Sequence, residues 1–167
     1  MTTNEISIRP YNSVEDASKA FYELAETAFT YGAPWSKKQY EQTLSRPDLI
    51  FFVAEQNDEL IGYVGGKLMV DEAEIYSIAI KKSFQNKKIA SKLIVAFKQY
   101  CQTKGMTTLY LEVRESNTKA RLFYEAHAFS EIAERKQYYT RPIEDAIIMK
   151  CNLGKKEEDE KEADFSN

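Results

Sequence analysis

Ile89, Leu93, Phe97 and Cys101 recur every four residues, with Ala90, Ile94 and Tyr100 beside them, while Lys92, Lys98 and Lys104 fall on the opposite side. That spacing predicts an amphipathic helix over 89–104, with Gly105 as its C-terminal stop. Helical spacing also runs over 14–29, where Ala20, Phe21, Leu24 and Phe29 are the apolar positions. Ser36 is a fitting N-cap for a short helix to residue 44, closed by Arg46-Pro47. Elsewhere strand patterns are predicted over 5–11, 49–55, 60–70, 74–80, 107–113, 129–138 and 143–151, with polar residues 56–58 as the turn between the second and third. One more helix begins at Asn117 or Thr118 and runs to 127. The resulting order, β-α-α-β-β-β-α-β-α-β-β, is that of an α/β domain.

With 167 residues, 43% of them hydrophobic, the chain can bury a core without disulfides or metal. A single domain over 1–153 is expected, followed by a charged, disordered tail over 154–167. The net charge of −3 sits in that tail: residues 155–167 hold three Lys against six Asp and Glu, so the rest of the chain is neutral. A neutral body argues against a nucleic-acid surface, which needs a basic excess, so any phosphate site is local. No apolar run approaches the roughly 20 residues needed to cross a bilayer, and no basic-then-apolar leader is seen, so a cytoplasmic protein with no membrane partner is expected. Cys101 and Cys151 form no Cys-x-x-Cys pair and read as packing residues. His127, the only histidine, reads as a structural residue at a helix end.

Two constellations carry chemistry. The first is the strand Ile78-Ala79-Ile80, the loop Gln85-Asn86-Lys87-Lys88-Ile89-Ala90 and the start of the following helix. A helix N-terminus presents unpaired N–H groups and a positive dipole end, both of which suit an anion. Lys81, Lys82, Lys87, Lys88 and Lys92 add positive charge there, although for such a cluster alone a solvated, Lys-rich helix start is the plainer account. The second is Glu112, which interrupts an apolar strand. Alternation puts Leu109, Leu111 and Val113 on one face and Tyr110 and Glu112 on the other. If that face lines a cleft, Glu112 can act as a general base; on a solvated face it is an ordinary glutamate.

The runs Ile78-Ala79-Ile80, Gln85 through Ala90, Leu111-Glu112-Val113-Arg114-x-Ser116-Asn117 and Ala120-x-x-Phe123-Tyr124-Glu125, in this order, resemble the GNAT superfamily of N-acetyltransferases. Ala33-Pro34-Trp35-Ser36, Asp71-Glu72-Ala73, Tyr138-Tyr139 and Glu144-Asp145-Ala146-Ile147-Ile148-Met149 are similar to its RimI branch, the ribosomal-protein alanine N-acetyltransferases. The resemblance spans residues 5–151. It implies a mixed, mostly antiparallel sheet of about seven strands, splayed centrally and flanked by about four helices. It also implies acetyl-CoA as cosubstrate and no metal.

Position by position, the resemblance implies that the backbone of Ile78, Ala79 and Ile80 holds the pantetheine arm and polarises the thioester. Amides of Gln85, Asn86, Lys87, Lys88, Ile89 and Ala90 would hold the pyrophosphate, and Asn117 would touch the cosubstrate. Glu112 matches the general base and Tyr124 the general acid, which also lies against the cosubstrate. Tyr138 and Tyr139 match a pair bordering the acceptor groove, and Trp35 is either a wall of that groove or a core anchor. The acceptor implied is a protein N-terminus, the N-terminal alanine of small-subunit ribosomal protein eighteen. A small amine, another N-terminus, or a noncatalytic acyl-CoA-binding module are the alternatives. Two residues depart from the family pattern. Lys88 stands where the phosphate loop usually has its first Gly, and Ala128 replaces the Gly before Phe129; both positions favour a residue free to adopt positive φ.

Overall fold

A computed structural model describes residues 4–154; the charged tail expected over 154–167 lies, beyond Gly154, outside the described residues. The elements are β1 (Ser7–Pro10), α1 (Ser18–Ala28), α2 (Lys37–Leu44), β2 (Leu49–Gln56), β3 (Glu59–Leu68) and β4 (Glu72–Ile80). A 3₁₀ turn (Lys82–Phe84), α3 (Ile89–Thr103), β5 (Thr108–Arg114), α4 (Thr118–Ala126), β6 (Ser130–Thr140) and β7 (Ile143–Asn152) complete them. The seven strands form one mixed sheet in the order β1-β2-β3-β4-β5-β7-β6. β5 pairs in parallel with β4 from Glu72/Thr108 to Glu74/Tyr110, and antiparallel with β7 along its whole length. Among the described residues the chain divides into two compact units, 4–68 with 75–97, and 69–74 with 98–154, so β4 and α3 contribute to both.

The first unit is built on aromatics. Phe21 of α1 lies 4.7 Å from the ring of Tyr63 and 5.8 Å from that of Phe51, while Tyr40 of α2 closes the cluster. Phe51 leaves no room opposite it, because a Cβ on Gly65 would come within 2.1 Å of its ring. Burying phenol hydroxyls without partners is costly. Tyr40 and Tyr63 therefore share a hydrogen bond of 2.8 Å, and Tyr63 continues to Ser77 Oγ at 2.8 Å. The Ser36 cap is present in full: its hydroxyl accepts from the Gln39 N–H and the Gln39 side chain accepts from the Ser36 N–H.

The helix expected from residue 14 begins only at Ser18. Asn12 causes the delay, because its side chain accepts from the Val14 N–H at 3.1 Å and its carbonyl from the Glu15 N–H at 2.9 Å. This local turn competes with helix, and Val14 stays 85% exposed.

The second unit shows the alternation read from the sequence, with Leu109, Leu111 and Val113 buried and Tyr110, Glu112 and Arg114 on the other side of β5. Cys101 and Cys151 are buried free thiols. α4 starts on Asn117, whose side chain accepts from the Ala120 N–H at 3.1 Å. It ends in a left-handed residue, Ala128, at φ 67°. The Ala128 N–H donates to Glu125 and the Phe129 N–H to Tyr124, the bond pattern of a Schellman turn that glycine ordinarily closes. Lys98 Nζ donates to the His127 carbonyl, which fits the structural role expected of that residue.

Candidate active site

In the first unit, β4 delivers Ile78, Ala79 and Ile80 with only Ala79 buried. The chain then leaves the strand through a 3₁₀ turn that the sequence pattern did not signal. Gln85 ties the exit down: its side-chain amide donates to the Ile80 carbonyl at 3.1 Å. Lys87 Nζ lies 5.2 Å from the Phe84 ring centroid. Asn86 and Lys88 both have φ 64°, so the loop turns through left-handed residues on either side of Lys87 before α3 opens at Ile89. The first four N–H groups of an α-helix have no partner within it, and here they follow three exposed polar residues, Asn86, Lys87 and Lys88. The donor set of amides and ammonium groups suits a pyrophosphate. Trp35 packs edge-on against Tyr40, 5.0 Å between rings, and joins the aromatic core.

In the second unit, Glu112 is the focus. Its side chain is 16% exposed, and the guanidinium of Arg135, 56% exposed, lies 3.5 Å away. The Tyr138 phenol is pushed up first by its hydrogen bond to Glu112 and then by burial. Tyr139 is pushed up to about 12 by burial, with the Glu112 charge adding to it. The Arg114 guanidinium lies 4.2 Å from the Tyr139 ring centroid and 3.4 Å from Glu144, whose carboxylate also accepts from the Ser116 N–H at 2.6 Å. Tyr124 of α4 is buried, and burial drives its phenol far up, with Tyr139 as the next contribution. One carboxylate that can accept a proton is thus gathered with three phenols that keep theirs at neutral pH.

Glu112, Tyr124, Tyr138 and Tyr139 are therefore brought together in one unit. Asn117 belongs to the same unit as the α4 cap. Ile78 through Ala90 and Trp35 belong to the other unit. Sequence reasoning missed Arg135, since nothing in the pattern of an exposed strand marks one arginine as the partner of a distant glutamate. Among the described residues no group of His, Cys, Asp and Glu has metal-binding geometry, and among them no helix is long and apolar enough to cross a membrane.

The family model of the acetyltransferase (GNAT) family matches residues 18–129. Among curated relatives, the ribosomal protein bS18-alanine N-acetyltransferase of Haemophilus ducreyi is 34% identical over 143 residues, covering 84% of this chain and 97% of that protein. Among solved structures, the ribosomal-protein-S18-alanine N-acetyltransferase of Escherichia coli superposes with a TM-score of 0.80 at 27% identity, covering 90% of this chain and 95% of that one. The PaiA N-acetyltransferase of Thermoplasma acidophilum, solved in complex with coenzyme A, superposes with a TM-score of 0.72 at 20% identity, covering 89% and 99%; that likeness speaks to the fold.

Proposed function

The chain belongs to the acetyltransferase (GNAT) family, and from that premise we propose that it moves acetyl from acetyl-CoA to the N-terminal amine of a protein, the N-terminal alanine of small-subunit ribosomal protein eighteen. The observation that carries this reading is the Glu112 cluster: a partly shielded carboxylate with phenols at hand, in the second unit. The relatives' shared acceptor narrows it to the N-terminal amine. A ribosomal acceptor puts the reaction in the cytoplasm.

Glu112 takes the proton of the incoming ammonium, directly or through water. An α-amino group has pKa near 8, so roughly a tenth is already neutral at pH 7 and a weak base suffices. The amine nitrogen then attacks the thioester carbon. Backbone N–H groups around Ile80 stabilise the oxyanion, and the C–S bond breaks as the tetrahedral species collapses. Tyr124 gives its proton to the departing thiolate sulfur. Its raised affinity for that proton ensures that it is protonated when the thiolate forms. Amides and lysines over 85–90 bind the pyrophosphate, and the Glu112 side of β5 receives the acceptor, with Tyr138 and Tyr139 at its border.

The test is incubation with acetyl-CoA and a panel of peptides differing in the first two residues, read by mass spectrometry. Acetylation confined to α-amino groups, highest on alanine-initiated peptides, is expected. Acetyl-CoA binding by calorimetry with no turnover on any amine would leave a noncatalytic binding module instead.

A further inference from the structure

Tyr138 and Tyr139 are neighbours in β6, and side chains of neighbouring strand residues point to opposite faces. Here both lie towards Glu112: the Arg135 guanidinium, 3.5 Å from the Glu112 carboxylate, stands 5.6 Å from the Tyr138 ring centroid, and the Glu112 charge helps to raise the Tyr139 phenol. Their rings stand 5.1 Å apart. A slip in the ladder makes this possible. β6 advances from Arg135 to Tyr139 while its partner β7 advances only from Ala146 to Glu144. Such bulges redirect side chains, and this one lies on the edge strand.

The bulge needs holding, because Gln137 in its middle has φ 52°, a left-handed conformation that a residue with a Cβ adopts only at a cost. Asp145 of β7 supplies the hold. Its Oδ1 accepts from the Gln137 N–H at 2.8 Å and its Oδ2 from Lys136 Nζ at 3.1 Å. Lys136 is exposed, so the backbone bond is the one that fixes geometry. The Asp145 carbonyl meanwhile accepts from the Glu115 N–H at 3.1 Å, in the loop that follows β5. One residue therefore ties the bulge to the end of the strand that carries Glu112.

We propose that Asp145 is a positioning residue for the acid-base cluster, holding the β6 bulge that sets Tyr138 against Arg135, the partner of the Glu112 carboxylate. The inference rests on the acetyl-transfer reading above. Asp145 acts through Tyr138 rather than on a reacting atom, which makes its effect separable from simple folding.

The experiment is a double-mutant cycle on the full chain, measuring kcat and KM with acetyl-CoA and an alanine-initiated peptide, together with acetyl-CoA affinity by calorimetry. Asp145→Ala is expected to lower kcat by roughly 10- to 100-fold, the scale of a misplaced catalytic group, at unchanged acetyl-CoA affinity. Asp145→Asn is expected to recover most of kcat, because its amide oxygen still accepts from the Gln137 N–H. In a Tyr138→Phe background the Asp145→Ala effect should shrink to within about threefold, as expected for residues acting through one contact. Fully multiplicative effects overturn the proposal. So does an Asp145→Asn protein as impaired as Asp145→Ala, or an Asp145→Ala protein with wild-type kcat and KM. If Asp145→Ala fails to fold, the same cycle is run with Asp145→Ser, whose hydroxyl is too short to reach the Gln137 N–H, and Tyr138→Phe: a loss of kcat that vanishes in the Tyr138→Phe background supports the proposal, and any other result overturns it. A wild-type protein that acetylates no peptide sinks the acetyl-transfer reading and this inference with it. A wild type that acetylates while the cycle is multiplicative sinks this inference alone.

Discussion

Lys88 and Ala128 sit at φ 64° and φ 67°, where an L-residue pays for its Cβ and glycine does not. The two differ in what they give in return. Ala128 closes α4 and has no charge to offer, so Ala128→Gly should stabilise the protein by about 1 kcal/mol, a rise in Tm of roughly 2–4 °C in a chain of this length. Calorimetric melting checks it, and an unchanged or lower Tm would show that the turn carries no strain. Lys88→Gly should gain similarly in stability, yet lose acetyl-CoA affinity at low salt, because an exposed ammonium beside a helix N-terminus attracts phosphate over about 10 Å at 0.1 M salt. The loss should fade as salt rises; tighter binding at every salt concentration would mean that strain outweighs charge. For the reacting groups themselves, Glu112→Gln and Tyr124→Phe should each lower kcat by roughly 10- to 10⁴-fold while acetyl-CoA affinity stays within a few-fold. Wild-type turnover in either variant removes the role assigned to it.

At the scale of elements, β3 shows why a strand can contain glycine in its interior. Gly65 faces the Phe51 ring so closely that a methyl group would overlap it, and Phe51 is itself wedged against Phe21 and Tyr63. Gly65→Ala should therefore destabilise the protein by about 1–3 kcal/mol, as overpacking of a filled core does; chemical denaturation measures it, and a loss below about 0.5 kcal/mol would mean that the ring moves aside freely. The strand pattern of β2 and β3 was legible from their apolar runs, and so were the helix over 89–104, the Ser36 cap and the alternation that set Glu112 apart. These are local signals, written in spacing. Illegible were the late start of α1, decided by the Asn12 side chain, and the β6 bulge, decided by a carboxylate on a different strand. The positive φ at Lys88 was foreseeable, but only against the family's glycine, since the lysine alone carries no such mark. Arg135 was invisible for the same reason as the bulge: its meaning depends on what lies across the sheet.

For the molecule as a whole, burial of phenols ties stability to alkaline pH. Tyr63 and Tyr139 are each pushed up to about 12 by burial, and Tyr40 and Tyr124 are driven further in the same direction for the same first reason. Tyr40 and Tyr63 lie in one unit and Tyr124 and Tyr139 in the other, so neither unit is spared. In each case the folded state holds a proton that the unfolded chain releases near pH 10. A raised folded value stabilises fully below the unfolded pKa and is lost as pH climbs through the folded one. Between about pH 10 and 12 the unfolded state binds fewer protons, so unfolding free energy should fall by about 1.4 kcal/mol per pH unit for each fully buried phenol, and by less for the partly exposed Tyr139, whose charge water screens. Denaturation curves at stepped pH, with tyrosinate absorbance followed in parallel, should show phenol ionisation arriving together with unfolding. Tyr63→Phe removes one titrating group along with its hydrogen bonds to Tyr40 and Ser77; it should start less stable and then lose stability more shallowly, by about one proton's worth of slope. Stability independent of pH above 10, or ionisation of all the tyrosines while the fold persists, would show that the buried phenols do not govern the alkaline limit.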